Sequence, residues 1–202
     1  MRGWLAARYV MGMRLPVTIA VSAFALMAAL IPQFAIADGS WLDEPLTDWN
    51  QPGMDLPQAP AMDPSTNPQC LSQKRPIETD ADQAVAAAGW TVFSGYVGGW
   101  NTYVVRGLSG YDGMCRPLDY TAFVFVDGQF AGTISPDLMN SRTDGAGDVE
   151  FFALKDSLIA QFQRYSAADP LCCPSGSATV FYQVNRTAAG PVLVPQSVTH
   201  QP

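Results

Sequence analysis

The chain has 202 residues, with 11 Lys and Arg against 18 Asp and Glu and a single His, for a formal net charge of −7. That balance excludes the usual means of holding nucleic acid or an anionic membrane surface, both of which reward clustered Lys and Arg. His200 is the one imidazole and no pair among Cys70, Cys115, Cys172 and Cys173 has C-x-x-C spacing, so neither a metal site nor a cofactor is expected.

Residues 1–37 read as an export signal. Arg2, Arg8 and Arg14 form a positive stretch without an acidic residue, and residues 15–31 follow as an apolar run broken only by Pro16, Thr18 and Ser22. Ala35, Ile36 and Ala37 then supply a small-x-small cleavage site. The competing reading is an uncleaved anchor, but an apolar run of about 16 residues containing Pro16 is shorter than the roughly 20 that comfortably span a bilayer. The expectation is cleavage after Ala37 and a secreted or periplasmic protein starting at Asp38. Removing the three arginines moves the net charge from −7 to −10. The first cysteine, Cys70, follows Thr66, Asn67, Pro68 and Gln69, which is no lipobox, so no stable membrane anchor is expected after cleavage.

Residues 38–69 differ in composition. Pro45, Pro52, Pro57, Pro60, Pro64 and Pro68 recur through a stretch carrying Asp38, Asp43, Glu44, Asp48, Asp55 and Asp63 and no positive charge. Proline removes backbone donors and like charges repel, so a disordered acidic tether is expected. Trp41, Leu42, Leu46 and Trp49 are its exception, able to pack loosely on the domain or to dock on a partner.

The folded domain is expected over residues 70–195, with a disordered tail at 196–202. Its first element is a helix: Thr79 and Asp82 form a capping box, residues 81–88 are good helix formers, and Gly89 stands where a helix ends. Strand signals follow at residues 90–93 and 102–105. The clearest hairpin covers residues 120–134, where Asp127-Gly128 suits a type I′ turn. Residues 149–154 and 158–165 read as a further pair, and residues 179–184 and 191–194 as the last, joined by a turn at 185–190. The fold class expected is α+β: one short helix packed on a mainly antiparallel sheet of about seven or eight short strands.

Three groups invite a chemical reading. Asp144, Asp148 and Glu150 cluster near Arg142, but residues 141–147 are rich in Gly, Asp and Ser and read as a solvated loop. Tyr96, Trp100 and Tyr103 stand among Gly95, Gly98 and Gly99, which fits a sugar-binding surface or, more simply, a structural sheet. Gly107, Gly110 and Gly113 are not spaced as a phosphate loop, and the sequon Asn185-Arg186-Thr187 falls in the expected last turn. With His200 in a polar tail, a nucleophile lacks a base beside it.

Four cysteines in an exported chain suggest two disulfides. Adjacent side chains of an extended segment point to opposite sides. Cys172 and Cys173 are therefore expected to bond to different partners, Cys70 and Cys115, in an order left open. A Cys172–Cys173 ring with Cys70 joined to Cys115 is the alternative.

The run Asp169, Pro170, Leu171, Cys172, Cys173, Pro174, Ser175, Gly176 resembles the LppP/LprE family of bacterial lipoproteins. Gln163, Arg164 and Tyr165 before it and the hairpin residues 126–132 add to the likeness, which extends from about Trp90 to Val194. The resemblance implies a cell-envelope protein of uncharacterised role and carries over no catalytic residue. The function expected is a non-enzymatic binding or structural domain, with an envelope protein, a glycan or an apolar ligand as partner. A secreted hydrolase acting through carboxylates is the alternative.

Overall fold

In the computed structural model, which describes residues 39–62, 66–97, 99–145, 150–170 and 172–202, the sequence patterns resolve into one helix and two four-stranded antiparallel sheets. Helix α1 (Asp80–Ala87) starts where the capping box expects it. Thr79 Oγ1 accepts from Asp82 N–H, the Asp82 carboxylate accepts from Thr79 N–H, and Gly89 beyond the last turn has φ +90°. The described residues belong to one compact unit, residues 36–202. The expected signal peptide, residues 1–37, lies outside them.

The first sheet has the order β1 (Thr91–Val97), β2 (Thr102–Tyr111), β3 (Pro117–Val126) and β4 (Gln129–Thr133). Asp127 and Gly128 join β3 to β4 with φ +52° and +77°, the two positive values of a type I′ turn. The second sheet has the order β5 (Glu150–Leu154), β6 (Ser157–Arg164), β7 (Gly176–Thr187) and β8 (Gly190–Gln201). Eight antiparallel strands and one helix give the α+β class read from the sequence, with the strands divided between two sheets.

The first sheet is covered on both faces. Val104, Leu108, Tyr120, Ala122 and Val124 meet Leu158, Phe162, Val180 and Tyr182 of the second sheet in the main core. Val105, Phe123 and Phe125 turn the other way, against Trp90, Val92 and the helical Val85 and Ala88. Burial on two faces explains why residues 123–126 are continuously apolar where a half-exposed strand would alternate. The second sheet does alternate: Leu158, Ala160 and Phe162 of β6 point inward, between half-buried Ser157, Gln161 and Gln163. β4 lies against β8 and connects the sheets.

Three boundary expectations are corrected. Residues 39–62 are not a free tether but a strap packed across both cores. Trp41 and Leu42 are buried in the main one, and Leu56 and Ala59 lean on the helix side of the first sheet. Proline and charge deny this stretch regular structure, yet they do not stop single side chains from burying. Ser40 caps the short 3-10 turn Trp41–Asp43, and Ala59 N–H donates to Ala88 C=O at 2.8 Å. The expected tail is the end of β8, where Val198 pairs with Val180 and Gln201 with Ser177. Pro195 does not end the strand because β8 is a sheet edge and Gln196 bulges out of register beside it. The last turn is likewise shorter than residues 185–190, since Thr187 already pairs with Gly190.

Candidate functional site: a cleft beneath the strap

The strap is fastened at named points. The buried Asn50 side chain donates through Nδ2 to Thr133 C=O and to Leu193 C=O, both at 2.9 Å, and accepts from Thr133 N–H at 2.8 Å. It therefore bridges β4 to β8. Trp49 Nε1 donates to Thr133 C=O at 3.0 Å, and Trp90 Nε1 reaches back to Pro57 C=O at 2.8 Å. Ser40 Oγ donates to Asp144 Oδ1 at 2.6 Å, while Arg164 pairs with Asp43 at 2.7 Å.

Between strap and body runs a string of three cavities. The largest, about 630 Å³, is walled by Trp41 and Glu44 on the strap side and by Asp137, Leu138, Asn140 and Asp144 opposite. A second, about 160 Å³, continues past Trp41 and Trp49 with Pro136 and Asp137 facing them. A third, about 260 Å³, carries on between Trp49, Met54 and Trp90 and again borders Asp137. Asp137 thus faces all three, and three tryptophans succeed one another along the wall. Trp41 packs edge-on against Trp49 and Phe162, each with ring centroids 5.5 Å away, and its Nε1 has no hydrogen-bond partner among the described residues.

Asp144 is the buried carboxylate of this cleft. Burial pushes its carboxyl up, against the opposing effect of Ser40 Oγ–H, Asn140 N–H and nearby Arg164. Both its oxygens are engaged, Oδ1 by Ser40 and Oδ2 by Asn140 N–H at 2.9 Å. It acts as a strut joining strap to turn. Of the other carboxylates grouped with it in the sequence, Asp148 and the side chain of Glu150 lie outside the described residues. Arg142 turns away from Asp144, toward the Tyr165 ring at 4.7 Å and Asp169 C=O at 3.3 Å.

The remaining candidates are dispersed. His200 is exposed on β8 beside Ala178. Tyr103 is a structural residue: its hydroxyl donates to Asp82 Oδ1 and accepts from Arg75. Trp100 is 61 % exposed at the tip between β1 and β2, and the side chain of Tyr96 is outside the described residues. Gly107 lies under Trp90, whose Cβ is 2.9 Å from where a methyl would stand, which makes it a packing glycine. Asn185 is an exposed strand residue. No group of three or more His, Cys, Asp or Glu among the described residues could hold a metal ion.

All four cysteines are paired, but not as expected. Cys70 bonds to Cys115 with an S–S distance of 2.03 Å, and Cys172 pairs with its neighbour Cys173. The expected crossing of Cys70 and Cys115 to the double cysteine is thereby overturned. Its premise was an extended segment, whereas Cys173 N–H donates to Pro170 C=O at 3.2 Å and closes a turn. In a turn adjacent side chains need not diverge.

The class of protein is now defined: an α+β domain in two sheets, strapped at its N-terminal side, with an elongated polar and aromatic cleft. Residues 100–187 match the LppP/LprE lipoprotein family, the family that the double-cysteine run and the β3–β4 hairpin resemble. The match suggests a bacterial cell-envelope location. The match takes in Cys115, Cys172 and Cys173, while Cys70, the strap and α1 precede it. No curated protein and no solved structure matches the chain.

Proposed function

We propose that this is a non-enzymatic binding domain of the cell envelope, exported and released by cleavage after Ala37, and that its ligand is a short glycan lying along the cleft. The observation that carries the reading is the row of polar groups Glu44, Asp137 and Asn140 along the 630 Å³ cavity, with Asp137 facing all three cavities. The largest cavity, about 630 Å³, has the size of a ligand pocket. Glu44, Asp137 and Asn140 supply the acceptors that sugar hydroxyls need, and the half-buried Trp49 borders the two smaller cavities, whereas Trp41 and Trp90 are buried in the cores. A polar wall of this kind suits an apolar ligand less well.

The hydrolase alternative draws on the same carboxylates. A general acid must be free to donate to the leaving group. Asp144, the carboxyl that burial pushes up, has both oxygens occupied by strap and turn, and this favours binding over turnover.

The test is a calorimetric and tryptophan-fluorescence titration of the purified protein with soluble envelope-glycan fragments. Saturable binding that weakens about tenfold in Asp137→Ala, at unchanged melting temperature, is expected. Release of reducing ends from the fragments would install the hydrolase instead. Absence of any response over the panel would remove the glycan reading.

A further inference from the structure

The two cysteine pairs stand in opposite environments. Cys70 is fully buried in the main core, Cys115 is half-buried against it, and their bond spans a sequence separation of 45 residues. Cys172 and Cys173 are both exposed, at the surface of the connection between β6 and β7. A thiolate must reach a disulfide sulfur to attack it, so accessibility separates the two pairs before any difference in bond chemistry. They also differ in what they hold. Opening Cys70–Cys115 frees a long loop. Opening a bond between sequence neighbours frees no chain beyond the two residues, because the entropy a crosslink removes grows with the loop it closes.

The connection has its own fastening, independent of sulfur. Asp169 Oδ2 accepts from Ser166 N–H at 2.7 Å, from Ser175 N–H at 2.9 Å and from Ser175 Oγ–H at 3.0 Å, joining the two ends of the segment. Those bonds, the Ser166 N–H foremost, hold its carboxyl down at about 2, so the clasp stays ionised through the physiological range. Arg142 adds a bond to Asp169 C=O and lies over Tyr165. The base of the connection is therefore fixed whichever state the sulfurs occupy.

We propose that Cys172–Cys173 is a thiol–disulfide exchange site, opened and reclosed by an external thiol while the domain stays folded. In the forward direction a thiolate RS⁻ attacks one of the two sulfurs. The S–S bond breaks, a mixed disulfide forms, and the neighbouring cysteine leaves as a thiolate that takes up a proton. A second RS⁻ attacks the R-bearing sulfur of the mixed disulfide, which releases RS–SR and the second cysteine thiolate. The protein pair gains two electrons, and two RSH are oxidised to RS–SR. The reverse sequence, driven by an RS–SR disulfide, restores the pair.

The test is graded reduction of the native full-length protein with dithiothreitol, trapping with N-ethylmaleimide and peptide mapping. Cys172 and Cys173 should be labelled together at least about tenfold faster than Cys70 and Cys115, with an unchanged circular-dichroism spectrum. Equal rates, prior opening of Cys70–Cys115, labelling before reductant is added, or labelling only upon unfolding would each overturn the proposal. Cys172→Ser offers a second reading that does not depend on reductant. The remaining Cys173 should release about one equivalent of thionitrobenzoate from Ellman's reagent under native conditions; no release would mean that the site is closed to external thiols.

Discussion

The amide of Asn50 lies directly against the α-carbon of Gly132: a methyl at that glycine would stand 2.3 Å from both Cγ and Oδ1 of Asn50. Gly132 has φ +134°, and β3 and β4 shift register between Val124 and Phe125, next to its pairing with Val124. The missing side chain is what lets the strap approach the sheet closely enough for Asn50 to span Thr133 and Leu193. A glycine in β4 and an asparagine in the strap are thus two halves of one joint.

Breaking either half should loosen the strap. Asn50→Ala leaves Thr133 N–H and Leu193 C=O without this partner in a buried setting, at a cost of about 3 kcal/mol, or a fall of roughly 6 to 12 °C in melting temperature. Gly132→Ala should cost as much by overlap and by its left-handed backbone. The double variant should cost less than the two singles summed, because truncating Asn50 vacates the space the new methyl needs. Full additivity in a thermal-denaturation cycle would show that the two residues do not share a joint.

The strap as a whole should prove part of the fold. Leu42 is fully buried and Trp41 packs edge-on against Phe162. Leu42→Ala is expected to cost about 3 kcal/mol. Deletion of residues 38–62 should expose the main core and produce dye binding and aggregation. A deletion variant with wild-type melting temperature would restore the tether reading.

What was legible in the sequence is what local chemistry dictates. Thr79, Asp82 and Gly89 announce a helix because capping and a left-handed C-terminus need those residue types. Asp127-Gly128 announces a hairpin because both positions take positive φ. The strap was not legible, since proline and like charges forbid helix and strand but say nothing about whether Trp41, Leu42 and Asn50 bury singly. The cleft was hidden for a related reason. Its walls meet only through contacts such as Ser40 to Asp144, 104 residues apart, and no local pattern encodes such a pairing. The signal that could have pointed to it was Trp41 and Trp49 in an otherwise polar stretch. Cysteine pairing failed at one premise, an extended backbone where Pro170 and Cys173 make a turn.

The Cys70–Cys115 bond should supply stability without deciding the fold. Closing a loop of this separation removes chain entropy worth about 4 kcal/mol in the simple model, and measured effects are often smaller. Its ends tie the 3-10 segment Pro68–Gln73 to the loop between β2 and β3, where Asp112 already accepts from Met114 and Arg116 N–H and pairs with Arg116. Cys115→Ser should therefore fold at room temperature with a lower denaturant midpoint and an unchanged spectrum. Loss of all near-ultraviolet signal at 25 °C would show that the bond is required for the native state.

Two buried aspartates should shift stability with pH in opposite directions. Asp82 is fully buried at its side chain. Burial alone would raise its carboxyl, but hydrogen bonds from Arg75 and from Glu78 and Thr79 N–H outweigh this and hold it below the usual range. A depressed carboxyl contributes stability that is present above its unfolded value and is lost as pH falls through the folded one. Asp144 is raised, chiefly by burial, so its ionised form is disfavoured in the fold, and that cost is relieved as pH falls from its folded value toward the ordinary one. Asp82→Asn should then cost about 3 kcal/mol at pH 7, where it leaves Arg75 facing an amide, and progressively less as pH falls through the lowered folded value, where Asp82 itself becomes protonated. Asp144→Asn can still accept from Asn140 N–H and donate to Ser40 Oγ, so it should match or exceed the parent at pH 7 and lose that advantage below about pH 4. Melting curves of the parent and both variants from pH 2 to 8 decide the matter. Two variants that move together across that range would show that Asp144 is stabilised by its bonds to Ser40 and Asn140 as Asp82 is by Arg75, and the assigned sign for Asp144 would be wrong.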